Sequence, residues 1–312
     1  MQAIIVAVCS FVLAVVFGKL LIPVLRALKA GQSIREIGPS WHNSKAGTPT
    51  MGGLVFIAAA ALCTIAGGWR SMLAGNLTHL YVLAFALVFG VIGFLDDFMK
   101  VKYKRNLGLT AIQKLALQLA AAGAYLALLR WNGDLTCDLY IPFWNVSFEI
   151  NWIVYLIFAM FVIVGCVNAV NLTDGIDGLA SGVTLPVMVF FAVTAYMWGK
   201  TTLALLPAAL AGGLAGFLVY NFHPAKVFMG DTGSLFLGGM VCGLAFALDM
   251  PLVLILVGII YIIETVSVIM QVTYFKLTHG KRIFRMTPIH HHFEMGGWSE
   301  VKIFTVFTGI TV

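Results

Sequence analysis

Long apolar runs are the feature that most restricts how this 312-residue chain can fold. The runs approach the roughly 20 residues that an α-helix needs to cross a bilayer, and they lack the alternation of an outer-membrane β-barrel strand. Hydrophobic residues make up 61% of the sequence and charged residues 10%, whereas a soluble domain is about 45–50% apolar and about 25% charged. The sequence therefore predicts an all-α integral membrane protein of about ten transmembrane helices, a single polytopic domain over residues 1–312. The predicted spans are about 3–25, 51–68, 80–97, 111–130, 151–170, 176–197, 202–221, 231–249, 251–275 and 299 onward.

The distribution of basic residues predicts which loops face the cytoplasm. The odd-numbered loops between the predicted spans hold 13 Lys and Arg residues, whereas the even-numbered loops hold only Arg70, Arg130 and Lys200. Because cytoplasmic loops carry the excess of basic residues, the odd loops are predicted to be cytoplasmic, with both termini outside if there are ten spans. The loop at 131–150 is then a short external hairpin. The net charge of +6 fits these loops and an anionic ligand, and does not indicate nucleic-acid binding.

Every unusual polar cluster falls on the predicted cytoplasmic side, whereas the even loops hold only ordinary residues. A site formed by cytoplasmic loops at one face of a helix bundle is the simplest account of this distribution. The clusters are residues 44–53, 96–97, 168–177, 221–234 and 285–294.

The stretch 168–177 carries two amides and two carboxylates at a spacing of three: Asn168, Asn171, Asp174 and Asp177. Groups three apart lie along one side of a helical turn. Oxygen ligands that converge on one side suit a hard cation such as Mg²⁺, which usually brings phosphate with it. Helix capping alone explains one of the carboxylates but not all four polar groups together.

Two further acidic positions fit the same chemistry. Asp96 and Asp97 end the third predicted span, and adjacent carboxylates repel each other unless a cation relieves them; a solvated helix end beside Lys100 is the alternative. Asp231 lies in a Gly-Asp-Thr-Gly-Ser sequence that opens the eighth span. Small residues expose backbone amides at a helix N-terminus, which favours anions, so Asp231 could cap the helix, face a metal, or both.

Three consecutive histidines, His290 to His292, point about 100° apart on a helix and cannot all bind one metal. Hydrogen bonding of one or two of them to phosphate or sugar is favoured over a merely polar interfacial loop. Glu264 lies midway along the ninth span, where a carboxylate is a site hypothesis by default, although a structural hydrogen bond explains it nearly as well. Lys114 at the start of the fourth span is either functional or a snorkelling residue.

These motifs resemble those of a known enzyme family from about residue 20 to the end of the chain. The Asp pair and the Asn/Asp run resemble the polyprenyl-phosphate N-acetylhexosamine-1-phosphate transferases. The triple histidine followed by Phe-Glu favours their phospho-N-acetylmuramoyl-pentapeptide transferase branch. The matching stretches are residues 47–53 (GTPTMGG), 96–100 (DDFMK), 168–179 (NAVNLTDGIDGL), 228–234 (FMGDTGS) and 288–294 (PIHHHFE).

The resemblance implies a reaction, a cofactor and a location. Such an enzyme moves phospho-N-acetylmuramoyl-pentapeptide from UDP-MurNAc-pentapeptide to undecaprenyl phosphate, a membrane lipid, and yields lipid I and UMP for peptidoglycan synthesis. It uses Mg²⁺ at the cytoplasmic face of the bacterial inner membrane. A sister transferase for a UDP-N-acetylhexosamine is the near alternative. A cation-coupled transporter is remote, because transporters tend to place their sites at the midplane and to contain repeats. A homodimer stays open, because the sequence gives no oligomeric state.

The resemblance also implies roles for individual residues. Asp231 would bind Mg²⁺, and Asp96 or Asp97 would support the metal or receive the proton of the lipid phosphate. Asp174 and Asp177 would bind metal or position the nucleoside diphosphate. The residues implied to contact phosphates are Lys45, Thr50, Lys100 and Lys114, and those implied to form the nucleoside pocket are Asn221, Phe228 and Gln271. His291 and the catalytic candidate His290 would contact the pyrophosphate or sugar. The further substrate-binding candidates in the same motifs are Asn168, Asn171 and Gly230. Direct attack by the lipid phosphate is favoured because that group is already ionised at neutral pH; a covalent Asp–phosphosugar route stays open.

Overall fold

The computed structural model describes residues 1–28, 45, 47–103, 108–141, 144 and 146–312. Residues 44 and 46 of the first polar cluster lie outside these ranges, as do the loop residues Lys29, Arg35, Lys104 and Arg105. Within the described ranges, nine helices are long and apolar enough to cross a membrane, which confirms the prediction of an all-α integral membrane protein. They are α1 Gln2–Ala27, α2 Gly53–Leu73, α3 Thr78–Tyr103, α4 Ala111–Asn132, α5 Trp152–Thr173, α6 Leu179–Met197, α7 Thr201–Asn221, α8 Gly230–Ala247 and α10 Ile259–Leu277.

Shorter elements complete the described fold. Strands β1 Asp138–Ile141 and β2 Val146–Glu149 form an antiparallel hairpin where the sequence predicts one. Its base is held by Thr136, whose hydroxyl donates to Asp249 at 2.7 Å. The other short elements are α9 Leu254–Val257, α11 Ile289–Glu294 and α12 Glu300–Thr311.

The last two predicted spans differ from the observed helices. The ninth begins with a 3₁₀ turn at Pro251–Val253, continues as α9 and is interrupted at Gly258 before α10. Proline is accommodated in the first turn of a helix, and a Cβ at Gly258 would contact the carbonyl oxygen of Leu254, so this break requires glycine. The tenth predicted span is the 12-residue α12, which Ser299 caps by accepting the Lys302 N–H at 3.3 Å.

Helix α8 is the most enclosed of the nine, with 89% of its residues buried. Small residues allow its close packing, as is common between membrane helices. Gly238 of α8 packs against the backbone of Val167 in α5, and Gly239 packs against Ala86 in α3. At the start of α8, Gly93 of α3 lies so near the carbonyl of Asp231 that a Cβ atom would overlap it. These contacts bring the ends of α3, α5 and α8 together.

The other packing group consists of α1, α2 and α7. Gly212 and Gly216 of α7 lie against the backbone of α1, and the Tyr220 hydroxyl donates to the Val15 carbonyl at 2.7 Å. The first residue of α2, Gly53, lies against Gly233 of α8. The start of α2 is therefore fixed beside the start of α8.

We expect Gly93→Ala to destabilise the protein and to displace Asp231, because its Cβ would overlap the Asp231 carbonyl. Overpacking of this kind costs about 1–3 kcal/mol. Gly165→Ala in α5 is the matched control, since its Cβ would meet no atom within 4 Å and alanine is the better helix former. Thermal unfolding in detergent measures both variants. Equal midpoints would show that the α3–α8 approach is not as tight as described.

Candidate functional site

Three carboxylates from two helices meet at the start of α8. Asp96 and Asp97 lie in the last third of α3, and Asp231 lies in the first turn of α8. Each offers an oxygen, and these oxygens lie within 4.8 Å of one another. We call this group the acidic centre. Asp96 and Asp97 are buried, whereas the Asp231 side chain is 19% exposed, so Asp231 is the member that a ligand reaches most directly.

Asp97 holds the N-terminus of α8. Its Oδ2 accepts the Thr232 backbone N–H at 2.9 Å and the Thr232 hydroxyl at 2.7 Å, and its Oδ1 accepts the Asp231 N–H at 3.2 Å. The first N–H groups of a helix lack partners within the helix, and a carboxylate there also favours the helix dipole. Asp97 therefore fixes the backbone that carries Asp231.

Two lysines balance the acidic centre. Lys100 Nζ lies 2.6 Å from Asp96 Oδ2 and 3.1 Å from Asp231 Oδ2. Lys114 Nζ lies 2.7 Å from the same Asp231 oxygen. Three carboxylates with two ammonium groups leave one net negative charge when all are ionised. A partly open group of carboxylate oxygens with excess negative charge fits a hard divalent cation such as Mg²⁺.

The amides of α5 reach the acidic centre and the layer beside it. Asn171 Nδ2 donates to Asp231 Oδ1 at 2.9 Å and to Ser234 Oγ at 2.7 Å. One turn earlier, Asn168 Nδ2 donates to Gln118 Oε1 at 2.9 Å. Of the two amides in the motif, Asn171 therefore orients Asp231 directly.

Asp174 lies in the turn between α5 and α6. Burial raises its pKa to about 8, and the negative charges of Asp231, Asp97 and Asp177 add to that rise. Without a bound cation, Asp174 is therefore mostly protonated at neutral pH. A divalent cation nearby would favour its ionised form.

Asp177 belongs to a second cluster, with Lys45, His223 and Glu300. Lys45 Nζ lies 2.7 Å from both Asp177 Oδ1 and Glu300 Oε2. Asp177 Oδ2 accepts the Ala225 N–H at 2.9 Å and lies 3.0 Å from His223 Nδ1. The Asp177 N–H in turn donates to Glu300 Oε2 at 3.0 Å. We call these four side chains the lysine cluster; the structure pairs Asp177 with Lys45 here, whereas Asp231 pairs with Lys100 and Lys114.

Sequence reasoning missed two members of this cluster. Glu300 lies in the first turn of α12, where a carboxylate favours the helix dipole, and the sequence reads there as an ordinary helix start. His223 follows α7 and precedes a proline. One sequence signal could have identified Glu300: an acidic residue that begins an apolar segment on the predicted cytoplasmic side, as Asp174 and Asp177 do.

Thr50 and Gly230 lie beside the acidic centre. A Cβ on Gly230 would contact both Asp97 Oδ2 and Thr50 Oγ1. The backbone of Phe228 pairs with the segment before α2, since its N–H donates to the Pro49 carbonyl and its carbonyl accepts the Gly52 N–H, each at 2.8 Å. The segment before α2 and the segment before α8 are thus joined by backbone hydrogen bonds.

The side-chain amides of Asn221 and Gln271 form hydrogen bonds within the protein. Asn221 Nδ2 donates to the Val227 carbonyl at 3.0 Å, and its Oδ1 accepts the Ser181 hydroxyl at 3.1 Å. Gln271 Oε1 accepts the N–H groups of Ile283 and Phe284, each at 3.0 Å. In this conformation, both amides therefore hold loop backbone.

The three histidines have separate partners in the structure. His290 is buried, and its Nδ1 lies 3.0 Å from Glu264 Oε2. His291 Nδ1 lies 2.7 Å from Glu294 Oε2. His292 Nδ1 accepts the N–H of Arg285 at 3.1 Å.

The sequence of this chain is similar to families and proteins already known. The model of Glycosyl transferase family 4 matches residues 79–249, and signature 1 of phospho-N-acetylmuramoyl-pentapeptide-transferase matches residues 45–57.

Three similar proteins carry the name phospho-N-acetylmuramoyl-pentapeptide-transferase. The protein of Clostridium beijerinckii is 50% identical over 307 residues, 97% of this chain and 91% of that protein. The protein of Listeria monocytogenes is 48% identical over 301 residues, 96% and 92% of the two chains. The protein of Clostridium perfringens is 50% identical over 309 residues, 98% and 94%. With this similarity along nearly its whole length, the chain belongs to the phospho-N-acetylmuramoyl-pentapeptide transferase family.

Proposed function

We propose that this enzyme transfers phospho-MurNAc-pentapeptide from UDP-MurNAc-pentapeptide to undecaprenyl phosphate, and so produces lipid I and UMP for peptidoglycan synthesis. One observation carries the proposal. Carboxylates that are more than 130 residues apart, Asp97 and Asp231, meet with two lysines at the ends of membrane helices. A membrane-bound acceptor and a water-soluble pyrophosphate donor can meet only at such an end. The basic odd loops favour the cytoplasmic side of the bacterial inner membrane.

The acidic centre is the place for Mg²⁺ in this proposal. Asp231 would be the principal ligand, because it is the most exposed of the three carboxylates and Asp97 is already engaged by the first turn of α8. When bound, the cation would neutralise the charge that develops on the pyrophosphate as UMP leaves. Asn171 would keep the Asp231 carboxylate oriented.

Lys100 and Lys114 would bind phosphate oxygens. Both ammonium groups now lie on Asp231 Oδ2, and lysine binds phosphate as a mobile point charge. A substrate phosphate would therefore draw them away from the carboxylate as the cation enters. The acceptor phosphate is largely ionised at neutral pH because its second pKa is about 6, so it needs little help from a general base.

Direct attack by the acceptor is favoured over a covalent aspartyl intermediate. Both Asp97 oxygens accept hydrogen bonds from α8. Asp96 Oδ1 accepts the Leu109 N–H at 2.9 Å, and Oδ2 pairs with Lys100. Carboxylates held in this way are poor nucleophiles, because attack would cost these contacts. Asp96 or Asp97 would at most receive a residual proton.

The lysine cluster and its surroundings would bind the donor. Lys45 and Asp177 offer one cation and one carboxylate at the edge of the turn that also carries Asp174. Phe228 lies two residues before Gly230 and is half-buried, and its ring would contact the nucleobase. His290 and His291 would contact the pyrophosphate or sugar. Asn221 and Gln271 would shape the nucleoside pocket through the loops that they hold.

The donor distinguishes this proposal from a sister transferase. We expect purified enzyme with undecaprenyl phosphate to release UMP from UDP-MurNAc-pentapeptide and not from UDP-N-acetylglucosamine. Chromatographic detection of UMP and of the lipid product measures both reactions. Release of UMP from UDP-N-acetylglucosamine alone would assign the chain to the sister branch.

Asp231→Asn removes a charge from the proposed metal ligand while it preserves the size of the side chain. We expect Mg²⁺-dependent UMP release to fall by about 10²–10³-fold, the scale of losing one electrostatic group in an active site, with little change in unfolding temperature. Asp134→Asn is the control, because the Asp134 carboxylate accepts a hydrogen bond from Thr78 at the opposite end of α3 from Asp96. Near-normal turnover of Asp231→Asn at saturating Mg²⁺ would refute the role of Asp231.

The pKa of Asp174 predicts a pH dependence of cation binding. Because that pKa is raised to about 8, the carboxyl is mostly neutral at pH 7, and a divalent cation would release its proton. Affinity for Mg²⁺ should therefore rise between pH 6.5 and about 8.5 as the carboxyl ionises. Calorimetry in buffers of different ionisation enthalpy measures the released protons. Asp174→Asn should release fewer protons than the wild-type protein, and equal release by both proteins would contradict the prediction.

A further inference from the structure

A buried carboxylate of α10 lies against the histidine motif. Glu264 is fully buried, and its Oε2 is 3.0 Å from Nδ1 of His290 and 3.5 Å from the His290 backbone nitrogen. Its other oxygen, Oε1, has no hydrogen-bond partner among the described residues. Glu264 and His290 are 26 residues apart, so the contact joins α10 to α11.

A buried carboxylate with one oxygen unpaired among the described residues costs more free energy than a purely structural role would justify. A carboxylate inside a membrane helix is expensive, and burial is usually offset by pairing and by hydrogen bonds to both oxygens. Ser267, one turn along α10, donates to the Glu264 backbone carbonyl at 2.7 Å and not to its carboxylate. Within the described chain, the side chain of Glu264 is thus directed to His290 alone.

The opposite edge of the His290 ring faces the turn between α5 and α6. Nε2 of His290 also has no hydrogen-bond partner among the described residues, and a Cβ on Gly175 would overlap this nitrogen. Gly175 is exposed and lies between Asp174 and Asp177. The imidazole therefore lies between the Glu264 carboxylate on one side and the turn between α5 and α6 on the other.

We propose that Glu264 is a positioning residue that holds Nδ1 of His290, so that the neutral imidazole carries its proton on Nδ1 and directs Nε2 toward the donor. A carboxylate beside one imidazole nitrogen fixes the tautomer and orientation of the ring in this way. The ring contact lacks the alignment of a full hydrogen bond, and such contacts tighten when substrate binds. The inference rests on the proposed role of His290 at the pyrophosphate or sugar.

Glu264→Gln tests the inference, because it keeps the shape of the side chain and removes its charge. We expect kcat to fall by about 10- to 100-fold, the effect of a misoriented catalytic group. The KM for UDP-MurNAc-pentapeptide should change by less than about twofold, as for an interaction made only in the transition state. The unfolding temperature should stay equal or rise, since a buried charge is removed.

Ser267→Ala is the matched control. It removes a buried hydrogen bond from the same turn of α10 and leaves the Glu264 carboxylate in place. We expect this variant to keep the wild-type kcat. A similar loss of kcat in both variants would show that α10 merely needs its polar contacts for stability, and would overturn the inference.

A double-mutant cycle with His290→Ala separates positioning from structure. If Glu264 acts through His290, Glu264→Gln changes kcat in the wild-type background and has no further effect in His290→Ala. Equal loss in both backgrounds, or a kcat of Glu264→Gln near that of the wild type, overturns the inference while the role of His290 stands. Full activity of His290→Ala overturns the role of His290 itself, and the inference with it.

Glu264→Asp repeats the test if the glutamine variant does not fold. It keeps the charge and withdraws the carboxylate from Nδ1 by one CH₂ group. We expect a lower kcat at unchanged KM, again without effect in the His290→Ala background. Wild-type kcat in this variant would overturn the inference.

Discussion

The hydrogen bonds between Asp97 and the first turn of α8 are the interaction on which the site depends. They satisfy backbone N–H groups and a hydroxyl that would otherwise lack partners in a buried place. They also explain why two acidic residues are adjacent in α3. Asp97 is used by the fold to hold α8, and Asp96 turns to Lys100 and the Leu109 N–H. Asp231 is left as the carboxylate with a side open to ligands.

Charge balance around Asp231 connects four helices. Lys100 comes from α3, Lys114 from α4 and Asn171 from α5, and all three contact the carboxylate that begins α8. A group of carboxylates in a low-dielectric place is stable only with such cations nearby. In the proposed reaction, the same ammonium groups would exchange the Asp231 carboxylate for a substrate phosphate.

The sequence predicted the helices and the polar motifs well where local periodicity decides them. Asn168 and Asn171 are three residues apart and lie on the same side of α5, as their spacing predicts, because both are within that helix. The helix ends at Thr173, so the rule no longer applies to Asp174 and Asp177: Asp177 pairs with Lys45, whereas Asp174 lies near the charges of the acidic centre. Helical periodicity could not foresee that separation, since the turn is set by contacts from other parts of the chain.

Side-chain pairs between residues far apart in the sequence could not be predicted from local patterns for the same reason. Glu300 meets Lys45 across 255 residues, and no local pattern marks either residue as the partner of the other. The role of Glu264 stayed open between function and structure because its neighbour is supplied by α11. The break at Gly258 was missed because Pro251 and Gly258 lie in an otherwise continuous apolar run.

The turn between α5 and α6 links the separate parts of the site. Asp174 feels the charges of the acidic centre, Gly175 lies against the imidazole of His290, and Asp177 binds Lys45. Only glycine fits at the middle position, because any Cβ would overlap the ring. If the donor binds the lysine cluster as proposed, it would act on the same short backbone segment that lies near the acidic centre and His290. In the proposed reaction, binding of the nucleotide and alignment of the reacting phosphates would be coupled through these four consecutive residues, 174–177.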